Sequence, residues 1–372
     1  MPCAAQPICG IALGYEDLVD HDGLRYDPLL ATLAGKLEAV AVARITTTGR
    51  YEMSPDASQL NNWVLPIVIA TAVAMAVPAS AQEAEGFSMC VVHNSADHPS
   101  ITALVEGMNA EAPLFGAEIT AFDPVMDPQR QASMIEDCIA RQADVIVVNA
   151  VDPAAVVPGL RKASEAGIPV LMQNADTNEE GRKYTEAFIG VESYDQGYAV
   201  GEMIAEEMGG KGNLVVITGK TGQTDVINRS AGMEAAFADT GASFDILASQ
   251  PADWSKDKAL TVMQDLLTRH PDIEVVFAQD DPMALGAIEA IKASGLQGDI
   301  KVYGVGGMRD ACAAVEAGDL AGTALQLSYM IGVYTVRAAY DLTQGRLVPE
   351  QILAPTAPLT AENFAQWSSQ CW

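Results

Sequence analysis

Basic residues are scarce in this chain, with 21 lysines and arginines against 49 acidic residues among 372, a formal net charge of −28. No cluster of lysines and arginines stands anywhere along it, so a phosphate backbone finds no surface to displace its counterions, and no nucleic-acid partner is expected. Histidine is scarcer still. The four present form no metal-ligand spacing and no nucleophile–His–acid arrangement on a recognisable elbow, and no Cys-x-x-Cys pair occurs. We therefore expect no metal, no cofactor and no enzymatic activity. Two glycine motifs fail on inspection. Gly304-x-Gly306-Gly307 follows a strand, but the third glycine of a dinucleotide fingerprint falls on Arg309. Gly219-Lys220-Thr221 lacks the first glycine of a phosphate-binding loop, whose place is taken by Leu214, and reads as a turn.

Long apolar runs are also rare. One runs from Trp63 to Val77, ends in Ala79-Ser80-Ala81 and is followed by the acidic segment from Gln82. It is short for a membrane span, and its small-x-small ending is what signal peptidase cuts, so residues 53–81 are expected to be a signal peptide and the working protein to be exported to the periplasm. No basic residue lies between Met53 and Asn62, which departs from the usual positive start of such a signal. The six cysteines are scattered. Cys90 lies in an apolar strand-like run and Cys138 in a helical one; we expect buried free thiols there, and leave a Cys312–Cys371 disulfide open.

From Phe87 onward, short apolar runs alternate with amphipathic ones. FSMCVVH, AEITAFD, DVIVVN and IPVLMQ are strands, and the segments between them are helices. After FIGVES the pattern restarts with NLVVITG, FDILAS, EVVFAQ and IKVYGV. Apolar strands without alternation suit parallel sheets covered on both faces. The expected fold class is α/β, with two doubly wound parallel-sheet lobes joined by a hinge of about three crossings near 190–193, Gln326 and 347–356. Residues 86–190 plus 327–350 would form the N-terminal lobe, and 191–326 plus 351–372 the C-terminal lobe. Ligand groups belong at the carboxyl ends of such strands. Asp280 is expected to face that crevice and Asp281 to cap the helix that begins near Met283.

Three stretches carry a family resemblance: SQPADWSKDKALTVMQDLLTRHPDIEVVFAQDDPMALGAIEAI (249–291), DVIVVNAVDPAAVVPGLRKASEAGIPV (144–170) and DLAGTALQLSYMIG (319–332). They resemble ribose-binding proteins, the type I periplasmic binding proteins of ABC importers, over about residues 86–360. The resemblance implies a receptor that closes on a small sugar or polyol and delivers it to an ABC permease in the inner membrane. A monomer is expected, and a receptor feeding a chemoreceptor or sensor kinase is the alternative. It implies ligand contacts from Asn94, His98, Asn149, Asn174, Arg229, Trp254, Asp280 and Gln326. It also marks departures, because Asn174-Ala175 stands for an Asp-Arg pair, Ile227 for an arginine, Gly306 for a carboxylate, and the first-strand loop lacks its aromatic pair. Losing charge-assisted bonds of about 1.5–3 kcal/mol each makes ribose itself a poor fit. Upstream, residues 6–38, with ALGYEDLVDHDGLRYDP and LLATLAGKLE, resemble a fragment of insertion-sequence DDE transposases. Residues 1–52 are accordingly expected to be a fused leader without transposase activity.

Overall fold

A computed structural model describes residues 43–45, 51–53 and 86–372. The transposase-like segment and the apolar run with its cleavage motif lie outside the described residues. The chain divides into two units, 1–86 and 87–372. In the first, β1 (Ala43–Ile45) and β2 (Tyr51–Met53) pair antiparallel.

The second unit contains two six-stranded sheets. The N-terminal lobe is built in chain order from β3 (Phe87–Val92), α1 (Pro99–Phe115), β4 (Ala117–Phe122), α2 (Pro128–Ala140), β5 (Val145–Val148), α3 (Val157–Glu165), β6 (Val170–Gln173), α4 (Glu179–Arg182) and β7 (Ala187–Gly190). The C-terminal lobe follows with α5 (Ser193–Met208), β8 (Lys211–Thr218), α6 (Thr224–Thr240), β9 (Ser243–Pro251), α7 (Lys256–Arg269), β10 (Val275–Ala278), α8 (Asp281–Ala293), β11 (Lys301–Gly306), α9 (Arg309–Ala317) and β12 (Gly322–Leu325). The chain then returns through α10 (Ser328–Thr343) and β13 (Gln351–Leu353) before β14 (Pro358–Thr360) and the short α11 (Phe364–Trp367).

Sheet order is β4-β3-β5-β6-β7-β13 in one lobe and β9-β8-β10-β11-β12-β14 in the other, with β14 the single antiparallel strand among them. The same winding therefore occurs twice, and the crevice between the lobes lies at the carboxyl ends of the strands, where an α/β fold presents its loops. The chain passes between lobes after β7, after β12 and after β13. Because β13 pairs in parallel with β7, residues 351–353 belong to the N-terminal sheet rather than the C-terminal lobe to which the sequence pattern assigned them. A three-residue edge strand has too little periodicity to reveal its sheet.

Strands such as β5 and β10 are buried along their whole length, as continuous apolar runs require. Helices cross at glycines in both lobes. A Cβ at Gly107 would meet the Tyr329 carbonyl oxygen at 2.0 Å, and one at Gly197 would meet that of Arg229 at the same distance. The pairs α1/α10 and α5/α6 thus approach backbone to backbone, and any larger residue there would push them apart.

The cysteines differ from the expected free thiols. Cys90 on β3 and Cys138 on α2 form a disulfide inside the N-terminal core, and Cys312 on α9 joins Cys371. A strand and its covering helix bring the first pair within 5.7 Å between Cα atoms, a proximity that only the tertiary fold creates. Replacing both Cys90 and Cys138 by alanine is expected to cost about 2–5 kcal/mol of stability, read as a lower urea midpoint. An unchanged midpoint would contradict a formed bond.

Candidate functional site

Between the lobes lies a cavity of about 460 Å³. From the N-terminal lobe it is lined by Asn94, His98, Met126 and Asn174; from the other by Gln223, Asp225, Arg229, Trp254 and Asp280; and at the hinge by Gln326. Seven of the eight residues singled out in the sequence meet here.

The eighth, Asn149, does not. It is fully buried at the end of β5, outside the cavity lining, and neither its Oδ1 nor its Nδ2 has a hydrogen-bond partner. Its neighbours in register are His93 after β3 and Gln173 at the end of β6, since Val92 pairs Val148 and Val148 pairs Met172. Both ring nitrogens of His93 and the Gln173 Oε1 are likewise buried without partners. Gln131 of α2 ties the backbone below this row, its Nε2 donating to the His93 and Asn149 carbonyls and its Oε1 accepting from the Val151 N–H. Burial pushes the His93 imidazole down to about 4, against a smaller opposing pull from Asp123.

Trp254 occupies the cavity wall through unusual backbone. Asp253 and Trp254 both have positive φ, 50° and 63°, a conformation that bulky residues rarely adopt. Its ring lies against Gly219, where an added Cβ would come within 1.9 Å of the indole, so only glycine leaves room. The Arg229 guanidinium stands 5.6 Å from the ring centroid. The indole N–H donates to Gln223 Oε1 at 2.6 Å, while Gln223 Nε2 reaches across to the Val151 carbonyl at 3.2 Å. Gln223 thereby connects the aromatic wall of one lobe to a strand end of the other.

Arg229 is buried, and its donors serve the protein. They bond Gln196 Oε1, the Gln279 carbonyl and Gln326 Oε1. Gln326 in turn donates to Asn174 Oδ1 at 2.8 Å. The arginine thus braces the hinge as well as lining the cavity. Burial pulls its pKa down, and Asp225, Asp280 and Asp281 act in the other direction.

The acidic pair reverses part of its expected division. Asp280, extended at φ −149° and ψ 167°, is itself the cap of α8, accepting from the Met283 N–H at 2.8 Å. Its other oxygen faces His98 across the crevice at 3.1 Å. The other ring nitrogen, Nδ1, stands 2.8 Å from Ser100 Oγ, so the ring is held between its own helix start and Asp280. Asp281 caps nothing. Its carboxylate accepts from Gly307 N, Met308 N and Thr323 Oγ1, fastening the ends of β11 and β12, and burial raises it to about 6. The helix begins two residues earlier than its apolar pattern suggests, because Pro282 is accommodated in its first turn.

Among the lining residues that the sequence reading did not single out are Gln223, Asp225 and Trp372. Asp225 accepts from Ser193 Oγ, and burial raises its pKa despite nearby Arg229. It stands in the first turn of α6, where an acidic residue reads as ordinary helix-end chemistry. Trp372 had one available signal, its position beside Cys371.

Chemically, the cavity offers carboxylate and amide groups for hydroxyls, an indole face for C–H groups, and walls from both lobes. Residues 89–347 match the family described as periplasmic binding protein domain. The chain is 31% identical over 280 residues to the ribose import binding protein of Salmonella typhimurium, covering 75% of this chain and 93% of that protein. It is similar to an ABC transporter solute binding protein from Mycobacterium smegmatis with bound glycerol (TM-score 0.71, 30% identity, 76% and 97% of the two chains). A second solved structure, an ABC transporter solute binding protein from Bacillus halodurans with bound myo-inositol, gives a TM-score of 0.72 at 26% identity, over 77% of this chain and 99% of that one.

Proposed function

The chain belongs to the periplasmic binding protein family, and on that footing we propose that it captures a small sugar or polyol between its lobes, delivers it to an ABC permease and carries out no reaction on it. The observation that supports this most is the inter-lobe cavity, lined from both sides by hydroxyl-bonding groups and on one side by Trp254. Asn94, His98 and Asn174 would bond the ligand from one lobe, Asp280 from the other and Gln326 from the hinge. Trp254 would cover its C–H face, and Arg229 would hold the hinge geometry.

Closure follows from differential affinity. Among the described residues few direct bonds join the lobes: across the crevice His98 to Asp280, Gln223 to the Val151 and Ala150 carbonyls and Lys220 to the Met126 carbonyl, and at the hinge Gln326 to Asn174. A ligand bonding both walls adds to these only in the closed state and so draws the equilibrium toward it. A monomer suffices, since one chain supplies both walls.

Residues 82–372 are expected to gain thermal stability with one or more of a set of pentoses, hexoses, tetritols, pentitols and inositols. At a hundred times Kd the gain is about 2.7 kcal/mol. No shift with any of them, in protein shown to be folded, would overturn the reading. Export would remove the leader after Ala81, so intact mass of periplasmic material should correspond to a start at Gln82. Retention of residues 1–81 would refute that start.

A further inference from the structure

We infer that Trp372 is a second aromatic wall of the ligand site, and that the Cys312–Cys371 disulfide is the device that positions it. The inference rests on the proposed polyol site and adds to it a contact residue from a segment outside the strand-end loops.

Trp372 is tied to the protein through its backbone and its indole nitrogen. Its backbone N–H donates to the Gly307 carbonyl at 3.1 Å, and its own carbonyl accepts from the Arg309 N–H at 2.7 Å. The indole N–H is shared between two carbonyls, Gln326 at 2.6 Å and Gly306 at 3.2 Å. One of these is the hinge and the other is the end of β11. The preceding residue is bonded covalently to Cys312, which is buried in the C-terminal core. A ring held this firmly at the cavity edge, with its only donor spent on protein, has its π face left to offer. Such a face covers the C–H groups of a polyhydroxylated ligand and excludes water from its hydroxyl bonds.

The local backbone supplies the acceptor for it. At Gly306, φ is +151° and an added Cβ would approach Asp281 Oδ2 at 2.8 Å, so only glycine fits beside that carboxylate, and the Gly306 carbonyl is left to accept from the Trp372 indole. Among the described residues that line the cavity, Trp254 and Trp372 are the two aromatic ones. Trp254 is set by the strained turn after β9, whereas Trp372 is set by the disulfide. Its link to the Gln326 carbonyl also joins it to the crossing that must flex when the lobes open.

A double-mutant cycle tests this with xylitol, D-ribose and myo-inositol as the titrated probes, and with apo melting recorded on each variant. Trp372→Ala is expected to weaken binding of the tightest probe about tenfold or more, with little change in apo melting. Trp372→Phe, which keeps a ring but loses the N–H bonds, should lose less. The pair Cys312→Ser/Cys371→Ser should weaken binding and lower apo melting. Adding Trp372→Ala to that pair should weaken binding no further than Trp372→Ala does alone, because the disulfide acts on the ligand through the ring. Unchanged affinity in Trp372→Ala would overturn the contact role, and fully additive losses would overturn the positioning role of the disulfide. If wild-type affinity did not depend on Trp372, the polyol reading would stand while this inference fell; if the protein bound neither these probes nor any other of the pentoses, hexoses, tetritols, pentitols and inositols, both would fall.

Discussion

Replacing Trp254 by alanine is expected to weaken ligand binding by about 2–4 kcal/mol, or roughly 30- to 1,000-fold, while apo stability falls by clearly less. The ring is half-buried at the cavity wall, stacked on Gly219 and near Arg229, so truncation removes apolar cover where ligand hydroxyl bonds need dry surroundings. It also frees Gln223, whose Oε1 loses its indole donor and whose hold on the Val151 carbonyl loses its brace. Both effects fall on closure more than on folding. Were the ring an ordinary core side chain, truncation would instead cost about 3–5 kcal/mol of stability, and binding would be lost through unfolding. Calorimetric titration and apo melting on the same variant separate the two outcomes. A large drop in apo stability with unchanged affinity for the folded fraction would remove Trp254 from the site.

The second large effect is pH-dependent and belongs to His93. Its pKa falls from 6.5 to about 4 because the ring is buried without a hydrogen-bond partner, so the folded lobe holds it neutral. Between those values the unfolded chain binds the proton and the folded chain does not. This contribution to stability is therefore fully present above about pH 6.5 and is lost as pH falls toward 4, by about 3 kcal/mol. Asp281 acts with the opposite sign. Its pKa is raised from 3.8 to about 6, so its contribution is lost as pH rises through that window. The two partly cancel in the wild type, and a single stability curve would conceal both. His93→Gln removes the first alone. The stability difference between wild type and variant, followed by urea unfolding from pH 7 to pH 4, should shift against the wild type by about 3 kcal/mol. A constant difference across that range would show that His93 gains no proton on unfolding.

The sequence made the architecture legible because its dominant signal is local. Fully apolar runs such as DVIVVN and EVVFAQ can only be strands covered on both faces, and their restart after FIGVES announces a second lobe. Most of the site was legible for a related reason, since strand ends carry ligand groups in such folds and Asn94, Asn174 and Asp280 stand at strand ends. What escaped depends on contacts distant in sequence. Cys90 and Cys138 meet only when α2 folds back over β3. Asn149 stands at a strand end like the others, but the packing of its row with His93 and Gln173 turns it away from the cavity, and no sequence pattern reports that orientation. Asp280 takes the cap in addition to its place in the crevice because one backbone step decides which carboxylate meets the free N–H groups of α8. Trp372 is brought to the crevice by a bond to a cysteine 59 positions before Cys371.

The most direct test of the central claim is a crystal structure of residues 82–372 with whichever sugar or polyol gives the largest thermal shift. The predicted result is one ligand molecule enclosed between the lobes, its hydroxyls bonded to Asn174, Asp280 and Gln326 and a C–H face against Trp254. Ligand bound outside this crevice, or inside it on one lobe with the lobes apart, would contradict the account.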